Sequence, residues 1–232
     1  MNGATERCVP RTPPYNPGLL NLIRCKRQWH WKPSAEERRR GFLGWHQRGY
    51  LPHFDAPNVT QMVTYMLADS FPITRRREWE PILHEPDSSV KRRKLEHWLD
   101  RGYGECWLRK APVATIVESV FLEGSGSNYE LKAWVIMPNH VHVVVGIWDV
   151  PLKKLVARWK GRSARFSNLT LRRNGAFWQD DYFDTRIRDE DHLRKAIHYT
   201  EANPAKACLV MDPGKWPWSS ARGHSLDGRL RL

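Results

Sequence analysis

Long apolar runs and paired cysteines are both missing from this sequence of 232 residues. Lys and Arg interrupt every apolar run well short of the roughly 18 residues that a membrane-spanning helix needs. The four cysteines lie far apart and form no CxxC pair, which argues against a structural zinc module and against a disulfide scaffold. Residues 1–18 hold no apolar stretch of the kind found in secretion signals. We therefore expect a cytoplasmic protein with reduced thiols and no membrane partner.

Negative charge is also scarce: the sequence has 25 Asp and Glu but 38 Lys and Arg, which gives a net charge of +13. The excess is concentrated in residues 1–50, at +7, and in residues 150–173, at +8, so the rest of the chain is close to neutral. Cations bind phosphates, and aromatic rings stack on the bases of single strands. The two basic segments and the 12 Trp therefore indicate a nucleic-acid partner, with solvated surface charge as the alternative.

Apolar periodicity predicts an α+β fold in which helices pack on an antiparallel sheet. Strands are predicted over residues 60–71, Tyr129–Met137, His142–Trp148 and part of 177–188. Helices are predicted as a pair within residues 75–101, broken at Pro86, and over 111–122, 152–171 and 189–202. The last helix is expected to end before Pro204, because the residue preceding a proline disfavours helical geometry.

Two histidines, separated by a single residue, lie in the apolar run Met137–Val145. Alternate residues of a strand point to the same face, so His140 and His142 are expected to project side by side. Two imidazoles on one face suit a divalent metal ion. The alternative is a pair of half-buried histidines with a structural role.

A second candidate lies in the helix that precedes Pro204. Tyr199 and Asn203 are four residues apart and therefore share a helix face. A phenol can act as a nucleophile, and an amide oxygen can bind a hard metal ion. The alternative is an aromatic ring packed on the sheet and an Asn that closes the helix. Tyr182, which is close in sequence to acidic residues, is the rival nucleophile.

The string Ala133–His142, AWVIMPNHVH, resembles the HUH motif (histidine, hydrophobic residue, histidine) of single-tyrosine transposases. The similarity is greatest to the REP-associated tyrosine transposases. Further similar strings are Gly44–Asp55, Gly104–Leu108, Phe177–Asp184, Ile187–Asp189, Tyr199–Pro204 and Trp216–Ser220. The resemblance covers residues 44–222, so we expect a basic, proline-rich arm over 1–43, a transposase domain over 44–222 and a tail over 223–232.

The resemblance implies an HUH endonuclease-like single domain with a ferredoxin-like (RRM-like) fold. It also implies that His140, His142 and Asn203 bind Mg²⁺ or Mn²⁺, and that Tyr199 attacks DNA to form a 5′-phosphotyrosine. The sequence departs from the common family pattern at Thr200, where Ile is usual, and in the run Ala205–Leu209, but neither change removes a reactive group.

The partner implied by the resemblance is single-stranded or hairpin DNA with REP-like palindromes, bound by a monomer or homodimer. The basic helix predicted over residues 152–171 is expected to contact phosphates, with Leu155, Val156, Trp159 and Phe166 facing inward. Its candidate DNA-binding residues are Lys153, Lys154, Arg158, Arg162 and Arg165. Two alternatives stay open: a non-catalytic DNA-binding protein derived from a transposase, and an HUH replication or conjugation initiator.

Overall fold

The computed structural model describes residues 31–48 and 51–223. The first 30 residues of the predicted arm and most of the predicted tail lie outside the described residues. The part of the predicted arm that is described contacts the domain: Phe42 is fully buried, and Arg40 forms an ion pair with Asp149. No described helix combines the length and the apolar character needed to span a membrane. The two described cysteines, Cys106 and Cys208, are free.

Six strands and six α-helices make up the described part of the chain. The strands are β1 Gly44–Arg48, β2 Leu51–Asp55, β3 Val59–Met66, β4 Tyr129–Ile136, β5 His140–Ile147 and β6 Phe183–Arg186. The helices are α1 Ala35–Arg40, α2 Arg76–Leu83, α3 Ser88–Asp100, α4 Ala111–Leu122, α5 Leu152–Leu171 and α6 Glu190–Lys206.

A four-stranded antiparallel sheet with the order β4-β5-β3-β6 forms the centre of the domain. This order, with helices in the two crossovers, confirms the predicted α+β fold of ferredoxin-like type. The inner strand β5 is buried along its whole length, because neighbouring strands and both helical layers cover it. That burial explains its unbroken apolar run, which carries polar side chains only at its two histidines.

The two faces of the sheet carry different helices. Tyr65 of β3 contacts Phe121 of α4, and Phe121 packs edge-on against Trp159 of α5, so α4 and α5 cover this face. Met62 points to the opposite face, since it lies an odd number of residues from Tyr65. There it forms an apolar cluster with Ala196 of α6. Met66 extends the same face to α3, where it packs on Leu95, Trp98 and Leu99.

A hairpin of β1 and β2, which the sequence analysis did not predict, lies beside β6. Its buried anchor is His53, whose Nδ1 lies 2.5 Å from Asp184 and whose Nε2 lies 3.3 Å from Asp181. Gln61 and the backbone N–H of Phe54 donate hydrogen bonds to the second oxygen of Asp184. Tertiary contacts therefore hold the hairpin in place, and they leave no periodic signal in the local sequence.

Several element boundaries differ from the prediction. Strand β3 ends at Met66 rather than at residue 71, and β6 covers only Phe183–Arg186. Helix α6 continues through Pro204 to Lys206, so the predicted end before the proline is wrong. The turn at Pro204 is stabilised by burial of Asn203 and Pro204, and by an Asn203 amide hydrogen bond to the Tyr199 carbonyl. Strand β5 begins at His140 rather than His142, because the turn at Pro138 is closed by a hydrogen bond from the Met137 N–H to the His140 carbonyl.

The inward face of α5 also differs from the prediction at one position. Leu155, Val156 and Trp159 are buried as predicted, whereas Phe166 is 42% exposed. The buried stripe continues through Ser163 and Ser167, which places Phe166 at its edge. The Ser163 hydroxyl accepts a hydrogen bond from the Trp178 indole N–H, so a polar contact occupies the space that an inward Phe166 would fill.

Candidate active site

The histidine pair lies at the start of β5, on the sheet face covered by α3 and α6. In the sheet register His140 pairs with Met66, and His142 pairs with Thr64. Both imidazoles are 1% exposed. The register explains the shared face: residues directly opposite in an antiparallel pair point to the same side, and alternate residues repeat it.

The two imidazoles converge through their Nε2 atoms, which lie 3.1 Å apart, with the ring planes nearly perpendicular. The His140 Nδ1 lies 2.8 Å from Asn139 Oδ1, and the His142 Nδ1 lies 2.7 Å from Thr64 Oγ1. Asn139 uses its amide nitrogen to donate to the Tyr103 carbonyl, so its oxygen accepts from the His140 Nδ1–H. The His140 Nε2 therefore carries a free lone pair when the ring is neutral.

A glycine in the loop before α4 allows the turn that places the Tyr103 carbonyl against Asn139. Gly104 has φ +89°, and a Cβ atom there would lie 2.8 Å from the Asp69 backbone and side chain. The adjacent Glu105 N–H donates to the Asp69 carboxylate. The tight turn fixes the position of Tyr103, whose carbonyl holds Asn139.

Burial keeps both histidines neutral near neutral pH. It lowers the pKa of His140 to about 3, and together with the charge of His140 it lowers the pKa of His142 well below its usual value. Metal–nitrogen bonds of about 2.1 Å would separate two neighbouring ligand nitrogens by about 3 Å, close to the separation seen here. The pair therefore fits one divalent ion.

Tyr199 and Asn203 lie one turn apart on α6, facing the histidines. The Tyr199 ring packs edge-on against the His142 ring, with centroids 5.6 Å apart. Asn203 is buried and donates from its amide nitrogen to the Tyr199 carbonyl at 3.2 Å, so its amide oxygen is the atom that could bind a metal ion. The chain thus places Tyr199 against its own histidine pair.

The Tyr199 hydroxyl is buried and makes no hydrogen bond of good geometry, although the side chains of Asn203 and Glu96 lie beside it. Burial first, and then the negative charge of Glu96, raise the pKa of Tyr199 far above its ordinary value. Glu96 on α3 lies 3.6 Å from Arg92 and 3.7 Å from Lys206. The Lys206 ammonium lies 5.1 Å from the centre of the Tyr199 ring.

The other candidate nucleophile lies elsewhere. Tyr182 is buried against the hairpin, with its ring 4.7 Å from that of His53. In the described residues no group of three His, Cys, Asp or Glu side chains is placed to hold a metal ion. A third protein ligand beside His140 and His142 would therefore be an amide such as that of Asn203.

The predicted DNA-binding residues lie along α5, on the opposite sheet face from the histidines. Most of them are exposed, and two have partners within the protein. The Lys154 ammonium donates to the Arg40 carbonyl at 2.8 Å, and Arg162 pairs with Glu123 at 2.6 Å. Contact of Lys153, Lys154, Arg158, Arg162 and Arg165 with DNA stays a prediction.

Sequence reasoning missed the groups that orient the site. Asn139 had a local signal, because it directly precedes His140. Thr64 had a weaker sequence signal, because it is a polar residue at an inward position of an apolar strand. Glu96 had no sequence signal, since only the packing of α3 against α6 brings it to Tyr199.

The site thus combines a buried histidine pair with a helix-borne tyrosine on one face of an antiparallel sheet. Residues 108–203 match the family model described as IS200-like transposases. The matched range contains His140, His142, Tyr199 and Asn203, as well as β4, β5, α5 and β6.

Two solved structures are similar to the chain. One is a REP-associated tyrosine transposase bound to a REP hairpin, with 15% identity, a TM-score of 0.47, and coverage of 81% of this chain and 92% of that chain. The other is described as a "putative transposase" from Deinococcus radiodurans R1. It has 16% identity and a TM-score of 0.32, and the match covers 68% of this chain and 96% of that chain. No curated protein matches the sequence.

Proposed function

We propose that the chain is a metal-dependent endonuclease and strand transferase that acts on REP-like palindromic or hairpin DNA through a 5′-phosphotyrosine. The observation that carries this proposal is the pair of Nε2 atoms 3.1 Å apart with the Tyr199 ring against His142. The match of residues 108–203 to a model of IS200-like transposases supports single-stranded or hairpin DNA as the partner. The enzyme acts in the cytoplasm, as a monomer or homodimer.

His140, His142 and Asn203 would hold Mg²⁺ or Mn²⁺. A divalent ion, when bound, supplies positive charge that stabilises the scissile phosphate. Asn139 and Thr64 hold the imidazoles so that both Nε2 atoms point to one place. Exclusion of water from these buried rings keeps them neutral and available as ligands.

Tyr199 is the nucleophile. Its oxygen forms a bond to phosphorus while the bond from phosphorus to the 3′ oxygen breaks, and the 3′ oxygen takes a proton from water. The products are a 5′-phosphotyrosine and a free 3′-OH. The covalent link retains the bond energy, so transfer to another 3′-OH needs no ATP. The phenol must lose its proton, and we assign Glu96 as the acceptor because its carboxylate lies beside the hydroxyl.

The test is cleavage of labelled hairpin DNA with a single-stranded flank, in the presence of Mn²⁺. Wild-type protein should give a free 3′-OH product and an adduct that survives denaturation, mapped by mass spectrometry to the peptide containing Tyr199. Tyr199→Phe should bind the DNA but form no adduct, whereas Tyr182→Phe should form it. An adduct on Tyr182 would overturn the assignment of the nucleophile.

The metal ligands are tested with the same DNA. His140→Ala and His142→Ala should each abolish cleavage and leave DNA affinity within about twofold, because phosphate contacts supply most of the affinity. His198→Ala is the matched control, since His198 is exposed on α6. DNA binding without cleavage at any Mn²⁺ or Mg²⁺ concentration would favour the non-catalytic alternative. Cleavage of replication or transfer origins instead of REP-like DNA would favour the initiator.

A further inference from the structure

The segment Trp216–Arg222 runs along the outer edge of strand β4, and we call it the C-terminal clasp. The Ile136 N–H donates a hydrogen bond to the Trp218 carbonyl at 2.9 Å, and Ser219 forms an antiparallel β-bridge with Val135. Part of the clasp is one of the strings that resemble the REP-associated transposases. The proposed reaction gives this segment no role, so its contacts need a separate explanation.

The clasp connects helices on the two faces of the sheet. On one face, Arg222 forms an ion pair with Glu118 of α4 at 2.5 Å. On the other face, the buried Ser220 hydroxyl donates to the Glu201 carboxylate of α6 at 2.7 Å, which is nearer than its other acceptor, the Trp134 carbonyl at 3.2 Å. The same hydroxyl accepts from the Trp134 N–H at 3.0 Å. One serine side chain therefore joins α6 to the edge of the sheet.

The clasp crosses β4 at the level of the histidine pair. Val135, which bridges to Ser219 of the clasp, pairs with His142 in the β4–β5 register. The next residue along β4, Ile136, pairs with Val141, which lies between the two histidines. The clasp therefore contacts α6 beside the candidate active site and not at a remote end of the helix.

Tyr199 and Glu201 lie on opposite flanks of the buried side of α6. An α-helix turns by about 100° per residue, so two residues apart in sequence are about 200° apart around the axis. Thr200 and Asn203 are buried between these flanks. The Tyr199 flank faces His142, and the Glu201 flank faces the clasp.

Beyond Tyr199, polar contacts hold the last turns of α6. The α6 side chains in the apolar cluster on the sheet all lie at or before that residue: Leu193, Ala196, Ile197 and Tyr199. Lys206 contacts Glu96 at 3.7 Å on the Tyr199 flank, and the hydrogen bond from Ser220 to Glu201 holds the other flank. Rotation of α6 about its axis would carry Tyr199 away from the histidines, and a bond on the opposite flank opposes that rotation.

We propose that Ser220 is a positioning residue for the nucleophile: through its hydrogen bond to Glu201 it fixes the rotation of α6, and with it the place of Tyr199 beside the histidine pair. The inference rests on the proposed function, in which Tyr199 attacks a phosphate held at those histidines. Ser220 itself takes no part in the chemistry. A segment that only covered the free edge of β4 would need its backbone contacts and not a side-chain bond to α6.

The first experiment measures cleavage and DNA affinity separately. Ser220→Ala should slow single-turnover cleavage at saturating hairpin DNA and Mn²⁺ by about tenfold or more, because a misplaced reacting group is costly, and should leave the DNA Kd within about twofold. Ser219→Ala is the matched control, since the Ser219 hydroxyl accepts from the Ala221 N–H within the clasp. Glu201→Ala should behave as Ser220→Ala does, whereas Glu201→Gln keeps an acceptor oxygen and should cleave at the wild-type rate.

Hydrogen exchange followed by mass spectrometry gives a second measurement that needs no cleavage. Ser220→Ala should raise exchange in the peptide of residues 199–206 and leave the β5 peptide unchanged, whereas a general loss of stability would raise exchange in both and contradict the proposal. A wild-type cleavage rate in Ser220→Ala, or equal slowing in Ser219→Ala, would overturn the positioning role. If the wild-type protein cleaves no DNA, the proposed function fails by itself, and exchange still decides the role of the clasp: unchanged exchange in α6 refutes it.

Discussion

At the residue scale, the orientation of His140 depends on the side-chain amide of Asn139. Asn139 accepts from the His140 Nδ1–H and donates to the Tyr103 carbonyl. Asn139→Ala should lower the apparent affinity for Mn²⁺ by about 10–100-fold, because the hydrogen-bond partner of a ligand histidine sets its tautomer and direction. The measurement is cleavage rate against Mn²⁺ concentration.

The control for this variant keeps the acceptor. Asn139→Asp retains an oxygen opposite His140 Nδ1 and should preserve most of the Mn²⁺ affinity, even though the donor to Tyr103 is lost. Asn128→Ala, in the exposed turn before β4, should behave as wild type. An unchanged Mn²⁺ requirement in Asn139→Ala would show that the ring is held by other contacts.

Glu96 offers a second test at this scale. Its charge raises the pKa of Tyr199, so Glu96→Gln moves that pKa down towards its ordinary value while removing the proton acceptor. Cleavage should fall by about 10²-fold or more at neutral pH, and the deficit should shrink as the pH rises and solvent hydroxide takes the proton. Single-turnover rates between pH 6 and 10 measure this. Glu80→Gln, on exposed α2, is the control, and a deficit that is constant with pH would assign Glu96 a structural role instead.

At the element scale, the β1–β2 hairpin is anchored by an ionised histidine. Burial alone would lower the pKa of His53, but hydrogen bonds to Asp181 and Asp184 and their charges outweigh it and raise the pKa to about 9. Because the folded-state pKa lies above the unfolded value near 6.5, this contribution is fully present below pH 6.5 and is lost as the pH rises through about 9. A shift of this size corresponds to at most about 3 kcal/mol of stability.

Urea denaturation at pH 6, 8 and 10 tests this anchor. The stability difference between wild type and His53→Gln should be largest at pH 6 and should disappear by pH 10, with unfolding followed by far-UV circular dichroism. His46→Gln, on the neighbouring strand, is the control. A difference that does not change with pH would mean that His53 contributes through packing and not through its charge.

Helix α5 is the second element with a distinct prediction. Replacing Lys153, Lys154 and Arg158 by Ala should weaken hairpin binding and flatten the dependence of log Kd on log salt by about one unit per lost phosphate contact. Lys154 also bonds to the Arg40 carbonyl, so thermal stability must be compared as well. Arg92→Ala, on the opposite sheet face, is the control, because it should leave the salt dependence of hairpin binding unchanged. An unchanged salt dependence would show that these cations of α5 do not contact DNA phosphates and are ordinary solvated surface charges.

At the scale of the whole molecule, local sequence patterns predicted the elements that carry the candidate site. Long-range packing determined which other residues contact that site and where the elements end. The alternation in β5 and the four-residue spacing of Tyr199 and Asn203 are properties of single elements, so the sequence was sufficient for them. The β1–β2 hairpin and the role of Glu96 depend on contacts between distant segments, which periodicity does not encode. The continuation of α6 through Pro204 likewise depends on burial, which outweighs the local preference of a proline.

The position of Tyr199 and Asn203 on one helix has a further consequence. Helix α6 carries both the proposed nucleophile and the proposed metal-binding amide, so neither can move away from the histidines without the other. In the proposed mechanism, displacement of α6 would stop cleavage by withdrawing both groups together. DNA already joined to Tyr199 would move with the helix, so its release to a new 3′-OH would require α6 to return.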